Sequence, residues 1–190
     1  MKKILFLLTA TCSIMACNNG EEEKDSIEMA KEVNESLDTL KSNSPDSVAA
    51  DHNFLVEVAS AGMMEIGLGK FAAKNAGSAA VKQFGELMVK DHTLSDSLLN
   101  DIARVKNIAI PNVPGDKHQK HIDELIKKKG ADFDKDYMSM MVDDHEETIK
   151  KFEDAEKNAI DEDIKAFATK TLPLLRKHLE TAKKIKDGLK

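Results

Sequence analysis

Four long segments repeat apolar side chains every three to four residues, and three links of unequal length join them. The blocks lie at about 51–75, 78–106, 132–158 and 161–187. That spacing puts one apolar stripe along each helix, and a striped helix must bury its stripe against another. The first and third links are a few residues long, so each joins an antiparallel pair. The middle link spans about 25 residues, with two Pro and a minor helical stretch at about 116–129. A helix of about 27 residues is about 40 Å long at about 1.5 Å per residue, and a dozen extended residues can cross it. The sequence therefore predicts an all-α, ferritin-like four-helix bundle, with a long crossover between the second and third long helices. A simple up-down bundle is the alternative. Ser78 and Asp161 stand as helix caps and Gly188 as a stop.

Two stretches within these blocks are nearly identical, Met-Val-Lys-Asp-His at 88–92 and Met-Val-Asp-Asp-His at 141–145. Stepping along the stripes gives Phe54, Val58, Ala61, Glu65, Leu68 and Ala72 on the first helix. The second carries Val81, Phe84, Met88, His92, Ser95, Leu99 and Ile102. The third has Tyr137, Met141, His145, Thr148, Phe152 and Ala155, and the fourth Ile164, Phe167, Thr171, Leu174, His178, Ala182 and Ile185. Each apolar seam thus carries one metal-capable residue near its middle: Glu65, His92, His145 or His178. A lone carboxylate in an apolar core costs several kcal/mol or takes up a proton. Three neutral imidazoles and a carboxylate satisfy one another around a divalent ion, and imidazole suits zinc, iron or copper better than calcium or magnesium. The expected ligand set is Glu65, His92, His145 and His178. The competing reading is a hydrogen-bonded Glu/His network with no metal, in a structural or stress-related interaction protein; Glu65 alone could also pair with Lys90 or Arg176.

Neighbouring residues have two readings each. Met88 and Met141, one turn before the histidines, are either thioether donors to copper(I) or plastic core filling. Asp91 and Asp144 are offset about 100° from the adjacent histidines. They either bond an imidazole on a neighbouring helix or form boundary salt bridges. Gly62, Gly67 and Gly69 around Glu65 mark close helix approach or space beside the carboxylate. Pro173 is expected to bend the fourth helix ahead of His178. His52, His118 and His121 fall off the seams and read as solvated.

The N-terminus reads as an export segment. Lys2 and Lys3 precede an apolar run, and small residues precede Cys17, the pattern of a signal peptide over 1–16. Its end, Ile-Met-Ala-Cys, resembles a bacterial lipobox, which implies lipidation of Cys17, attachment to the membrane through that anchor and an envelope location, with the outer membrane expected. The acidic run Glu21–Glu23 behind Cys17 resembles the export signal of surface lipoproteins or is a plain solvated tether. Residues 17–50 read as that tether, with a short amphipathic helix through Ile27, Ala30, Val33, Leu37 and Leu40, and the bundle spans 51–188. With Cys12 removed and Cys17 acylated no thiol remains, so thiolate catalysis and Cys-based zinc sites are excluded. Removing 1–16 leaves 26 basic against 34 acidic side chains, a balance of −8, which argues against a nucleic-acid partner. A homodimer is compatible with the sequence.

Taken together, Gly-Met-Met-Glu-Ile-Gly around Glu65, the run ending at His92, Phe-Asp-Lys-Asp-Tyr through His145 and Leu-Pro-Leu-Leu-Arg-Lys-His at 172–178 resemble a bacterial family of predicted outer-membrane or periplasmic proteins. That family is a domain of unknown function with a ferritin-like fold. The resemblance covers about residues 48–187 and implies a helical bundle in the envelope, with no established activity. Di-iron carboxylate enzymes are a poorer match. Their Glu three residues before His is replaced here by Val89, Val142 and Leu175. No residue pattern names a reaction or a substrate.

Overall fold

The computed structural model describes residues 24–40 and 46–189. The signal segment, Cys17 and the tether residues 18–23 and 41–45 lie outside these residues. Six helices make up the described chain: α1 (Ser26–Leu40), α2 (Asp46–Asn75), α3 (Ala79–Lys106), α4 (Asp116–Leu125), α5 (Gly130–Asn158) and α6 (Glu162–Gly188). None of them is long and apolar enough to cross a membrane. The four long helices match the four blocks read from the sequence. α2 begins at Asp46, one turn earlier than periodicity suggests, and the minor helix is shorter.

Two antiparallel hairpins, α2/α3 and α5/α6, form the body, with α2 beside α5 and α3 beside α6. A pair of buried aspartates sets their register. Asp51, near the start of α2, accepts from Ile160 N at 3.1 Å and Asp161 N at 2.8 Å, in the turn between α5 and α6. Asp134, near the start of α5, accepts from Gly77 N at 2.9 Å and Ser78 N at 2.6 Å, in the turn between α2 and α3. Each hairpin therefore holds the turn of the other, satisfying helix-end N–H groups that would otherwise be orphaned. This arrangement makes α2 and α5 antiparallel. The segment through α4 consequently travels from one end of the bundle to the other, the long crossover expected from its length. Ser78 does occupy the N-cap of α3, but its side chain makes no capping bond; its backbone N–H is the group that Asp134 holds. Asp161 caps α6 as expected, accepting from Asp163 N and Ile164 N. α6 continues through Pro173 and ends at Gly188.

Helix α1 forms, and only part of its expected stripe docks: Ala30 is buried and Ile27 and Leu37 are partly covered. Val33 and Leu40 are 48% and 81% exposed, while Asn34 and Asp38 are buried. Asn34 donates to Ala109 O at 2.9 Å and accepts from Ala109 N at 2.7 Å. Its amide thereby satisfies the backbone of the crossover in the way a paired strand would. Asp38 meets His52 at 3.0 Å. The second departure is His118. It is half-buried, with Nδ1 2.6 Å from the Ser60 hydroxyl, which also accepts from Gly115 N at 2.8 Å. Ser60 thereby pins the start of α4 to α2. His52, His118 and His121 are all at least half-buried rather than solvated, because α1 and α4 cover outer faces of α2 and α5.

Two apolar clusters fill the interior. One gathers Leu55, Leu99, Phe152, Ile164 and Phe167; the other Met64, Leu68, Phe84, Phe133, Tyr137 and Met141. Phe54, Phe152 and Phe167 pack edge-to-face or tilted in the first, and Tyr137 stacks on Phe133 in the second. α2 and α3 touch backbone to backbone through paired glycines. A Cβ on Gly85 would lie 2.6 Å from Gly69 O, and one on Gly69 would lie 2.8 Å from Gly85 O.

Two outcomes test this packing. Gly85→Ala should destabilise the protein by about 1–3 kcal/mol, because backbone cannot yield as a side chain can. Thermal denaturation followed by circular dichroism should show a midpoint lowered by several degrees. Burial and Lys117 hold the His118 pKa down to about 4. The unfolded imidazole titrates near 6.5, so between about 6.5 and 4 the unfolded chain binds the extra proton. Stability tied to His118 is present above pH 6.5 and is lost as pH falls towards 4. His118→Gln should flatten the fall measured by urea denaturation across that window.

Candidate metal centre

Where the two apolar clusters meet, the four long helices each turn one polar side chain inward. Glu65 comes from α2, His92 from α3, His145 from α5 and His178 from α6, and all are buried. The structure brings together all four residues singled out from the sequence. The three imidazole rings form a near-equilateral triangle, with centroids 5.8 Å apart for His92–His145, 5.4 Å for His92–His178 and 5.5 Å for His145–His178. One donor atom from each ring lies within 4.8 Å of the other two.

Each ring has one nitrogen engaged and the other bare. His92 Nδ1 is 2.9 Å from Glu65 Oε2. His145 Nδ1 is 3.2 Å from Glu65 Oε1 and 2.9 Å from Met141 O. His178 Nε2 is 3.0 Å from Asp91 Oδ2. A carbonyl oxygen and carboxylates accept, so these nitrogens carry the protons. The opposite nitrogens, His92 Nε2, His145 Nε2 and His178 Nδ1, are buried with no partner. Burial also keeps the rings neutral: it lowers His92 to about 4 and pushes His145 and His178 down as well, against the opposing pull of Asp91, Asp144 and Glu65. Three unprotonated lone pairs in a dry core are the donor state that a metal requires.

The repeated motif now has a physical account. α3 and α5 lie on opposite corners of the bundle, and their histidines reach its axis. The preceding aspartates, turned about 100° away, address the neighbouring helix. Asp91 reaches His178 on α6. Asp144 lies near Glu65 on α2, with one oxygen of each carboxyl and a His145 nitrogen all within 4.8 Å. Burial and the adjacent Glu65 raise the Asp144 pKa well above the carboxylate range, and burial raises Glu65 too. The two carboxyl groups lie side by side in the core, and Asp144 Oδ2 is buried with no hydrogen-bond partner. Of the two readings of the aspartates, the imidazole bond holds for Asp91; Asp144 lies beside a carboxyl instead. Lys90 and Arg176 are not the partners of Glu65, and Arg176 pairs with Glu153. Sequence reading passed over Tyr137 as a polar group. Its hydroxyl is buried without a partner near Glu65, and its pKa is raised by burial. No spacing rule flags it, because an aromatic on an apolar seam reads as core.

Met88 and Met141 are buried within an apolar cluster, where they fill space. Gly69 serves close packing, whereas a Cβ on Gly62 would meet no atom within 4 Å. Gly62 also borders a pocket of about 20 Å³ lined by Glu65 and His92 among others.

Compared with known families, residues 36–185 match one described as a domain of unknown function, DUF4142. The chain belongs to this family. No curated protein and no solved structure matches it. The family carries no assigned activity, so chemistry must be argued from the cluster itself.

Removing the acceptor should expose how much the cluster depends on it. Glu65→Ala leaves the Nδ1–H of His92 without its partner and that of His145 with Met141 O alone. A buried orphan costs about 1–3 kcal/mol, so urea denaturation should show a loss of at least that size in the metal-free protein.

Proposed function

We propose that this protein is a lipid-anchored envelope protein whose ferritin-like bundle binds one transition-metal ion, zinc, iron or copper, in its core. The observation that carries the reading is three buried imidazoles, each offering a nitrogen within 4.8 Å of the other two, on rings that each have one bare nitrogen and one tied to an acceptor. Such an acceptor behind each imidazole fixes its tautomer and raises its basicity, as in carboxylate–histidine–zinc arrangements. His92, His145 and His178 supply the donors. Glu65 completes the set expected from the sequence, yet both its oxygens are committed to Nδ1–H groups. In this proposal it orients two of the three ligands and balances the charge of the ion.

Magnitudes favour an ion over a purely structural network. Three bare buried nitrogens cost about 1–3 kcal/mol each when unsatisfied. Structural zinc contributes about 10–16 kcal/mol in small domains. A core kept only for stability would do better with apolar residues of the same volume. The donor set is imidazole with carboxylate behind it and no thiolate, which suits zinc, iron or copper. Membrane attachment rests on the lipobox-like end of the leader and acylation at Cys17. No reaction is assigned.

Elemental analysis of untagged protein should find about one equivalent of metal. Adding that metal at about a hundred times its Kd should stabilise the fold by about 2.7 kcal/mol. His92→Ala together with His145→Ala should abolish both effects. Less than about a tenth of an equivalent, with no rise in Tm on adding zinc, copper or iron, would leave the metal-free structural protein as the better reading.

A further inference from the structure

Two pockets border the polar layer, and they differ in size and in chemistry. One, of about 20 Å³, touches Glu65 and His92 and has apolar groups such as Val58, Leu99 and Phe152 in its walls. The other is an open groove of about 360 Å³ between α4 and α5. α4 lends it His121 and Glu124, and α5 lends Asp136, Asp143, Asp144 and Glu147. Positions three, four or seven apart share one helix face, so the two helices turn polar stripes towards each other. Lys128 pairs with Asp136, and Lys117 and Lys151 pair with Glu147. Glu124 and Asp143 have no cationic partner among the described residues, which leaves the groove with an excess of negative charge. Asp144 belongs to both the groove and the core. It lines the groove, and one of its oxygens lies within 4.8 Å of a Glu65 oxygen and a His145 nitrogen. Asp144 Oδ2 on one wall and His121 Nδ1 on the other are buried with no hydrogen-bond partner.

We infer that the α4/α5 groove is the path by which a divalent transition-metal cation enters the core, with His121 and Asp144 as its stepping ligands. Asp144 hands the ion to the His145 side of the histidine triangle. The inference rests on the metal reading, and the test separates the two. A divalent cation arrives with its water, and six waters take up about 180 Å³ at about 30 Å³ each. The groove has room for that shell, whereas the smaller pocket does not. Acidic walls draw cations in, and a cleft of one charge sign raises association rates by about 10 to 10³. Taking an ion out of water with nothing in exchange is prohibitive. An imidazole nitrogen and a carboxyl oxygen are both donors to such an ion, and they replace its water stepwise before the three histidines take over.

Cobalt(II), whose visible absorption bands report on its donors, serves as the probe. Its uptake by the metal-free full chain is followed by stopped-flow absorbance, and its release by transfer to excess chelator. His121→Leu keeps the bulk of the side chain and removes its donors. It should slow uptake and release alike, each at least about tenfold, with the Kd held within about threefold. A stepping ligand lowers both rates together, whereas damage to the final site speeds release. Asp144→Asn should slow uptake furthest, and His121→Leu, on the outer helix, guards against an Asn variant that misfolds. Asp96→Asn, on the wall of the smaller pocket, should load like the parent. The inference is overturned if His121→Leu and Asp144→Asn both load at the parental rate. It is also overturned if His121→Leu weakens final binding without slowing release, or if Asp96→Asn is the variant that slows uptake. A parent chain that takes up no cobalt at equilibrium overturns the metal reading itself and takes this one with it.

Discussion

A single carboxylate, that of Glu65, is held in the driest part of the molecule by two imidazole N–H groups, and the rest of the interior is arranged around that constraint. An isolated carboxylate there would be protonated or expelled. His92 and His145 reach it from opposite corners of the bundle, so that satisfying Glu65 requires α2, α3 and α5 to share one register. Asp91 ties His178, and with it α6, to the same level. The polar layer thereby sets the axial alignment of all four long helices, a matter on which the apolar clusters at either side are indifferent. A buried polar network leaves groups unsatisfied if any one helix slides by a turn.

The ends of the bundle repeat the same device with backbone groups in place of imidazoles. Asp51 and Asp134 each reach into the other hairpin's turn and accept two N–H groups. Three levels of polar fixation, one at each end and one in the middle, leave little freedom for the hairpins to shift. Preorganisation of that kind suits a metal centre, whose donors must be held within a few tenths of an ångström. On α2, Gly69 lets the backbone of α3 touch at the level of Gly85.

Much of this was legible in residue order. The helical period, the two short links and the long one predict four long helices and the crossover, because amphipathic spacing and chain length are local properties. The four central polar residues were legible too, since each breaks an otherwise apolar seam. Less legible was which face of α2 is buried. Leu55 is the fully buried member of the interior face, while Phe54 and Val58 of the expected stripe are partly exposed, and Ser60 is covered because α4 lies over the outside of that helix. On α6 the seam passes through Leu175 rather than Leu174. Asn34 and Asp38, polar and off the stripe, anchor α1, while Val33 stays exposed; hydropathy ranks those residues the wrong way round.

What residue order determined by itself was an all-helical chain with one carboxylate and three imidazoles on four separate seams, since periodicity alone decides which side chains share a face. Tertiary structure decided how those groups address one another. Which nitrogen is bare, that Glu65 serves two histidines, that Asp91 bonds a ring on another helix and that Asp144 lies beside a carboxyl on a third all depend on distances between helices far apart in the chain. Such distances follow from packing and from the competition of buried polar groups for partners, and no pattern confined to one helix encodes them.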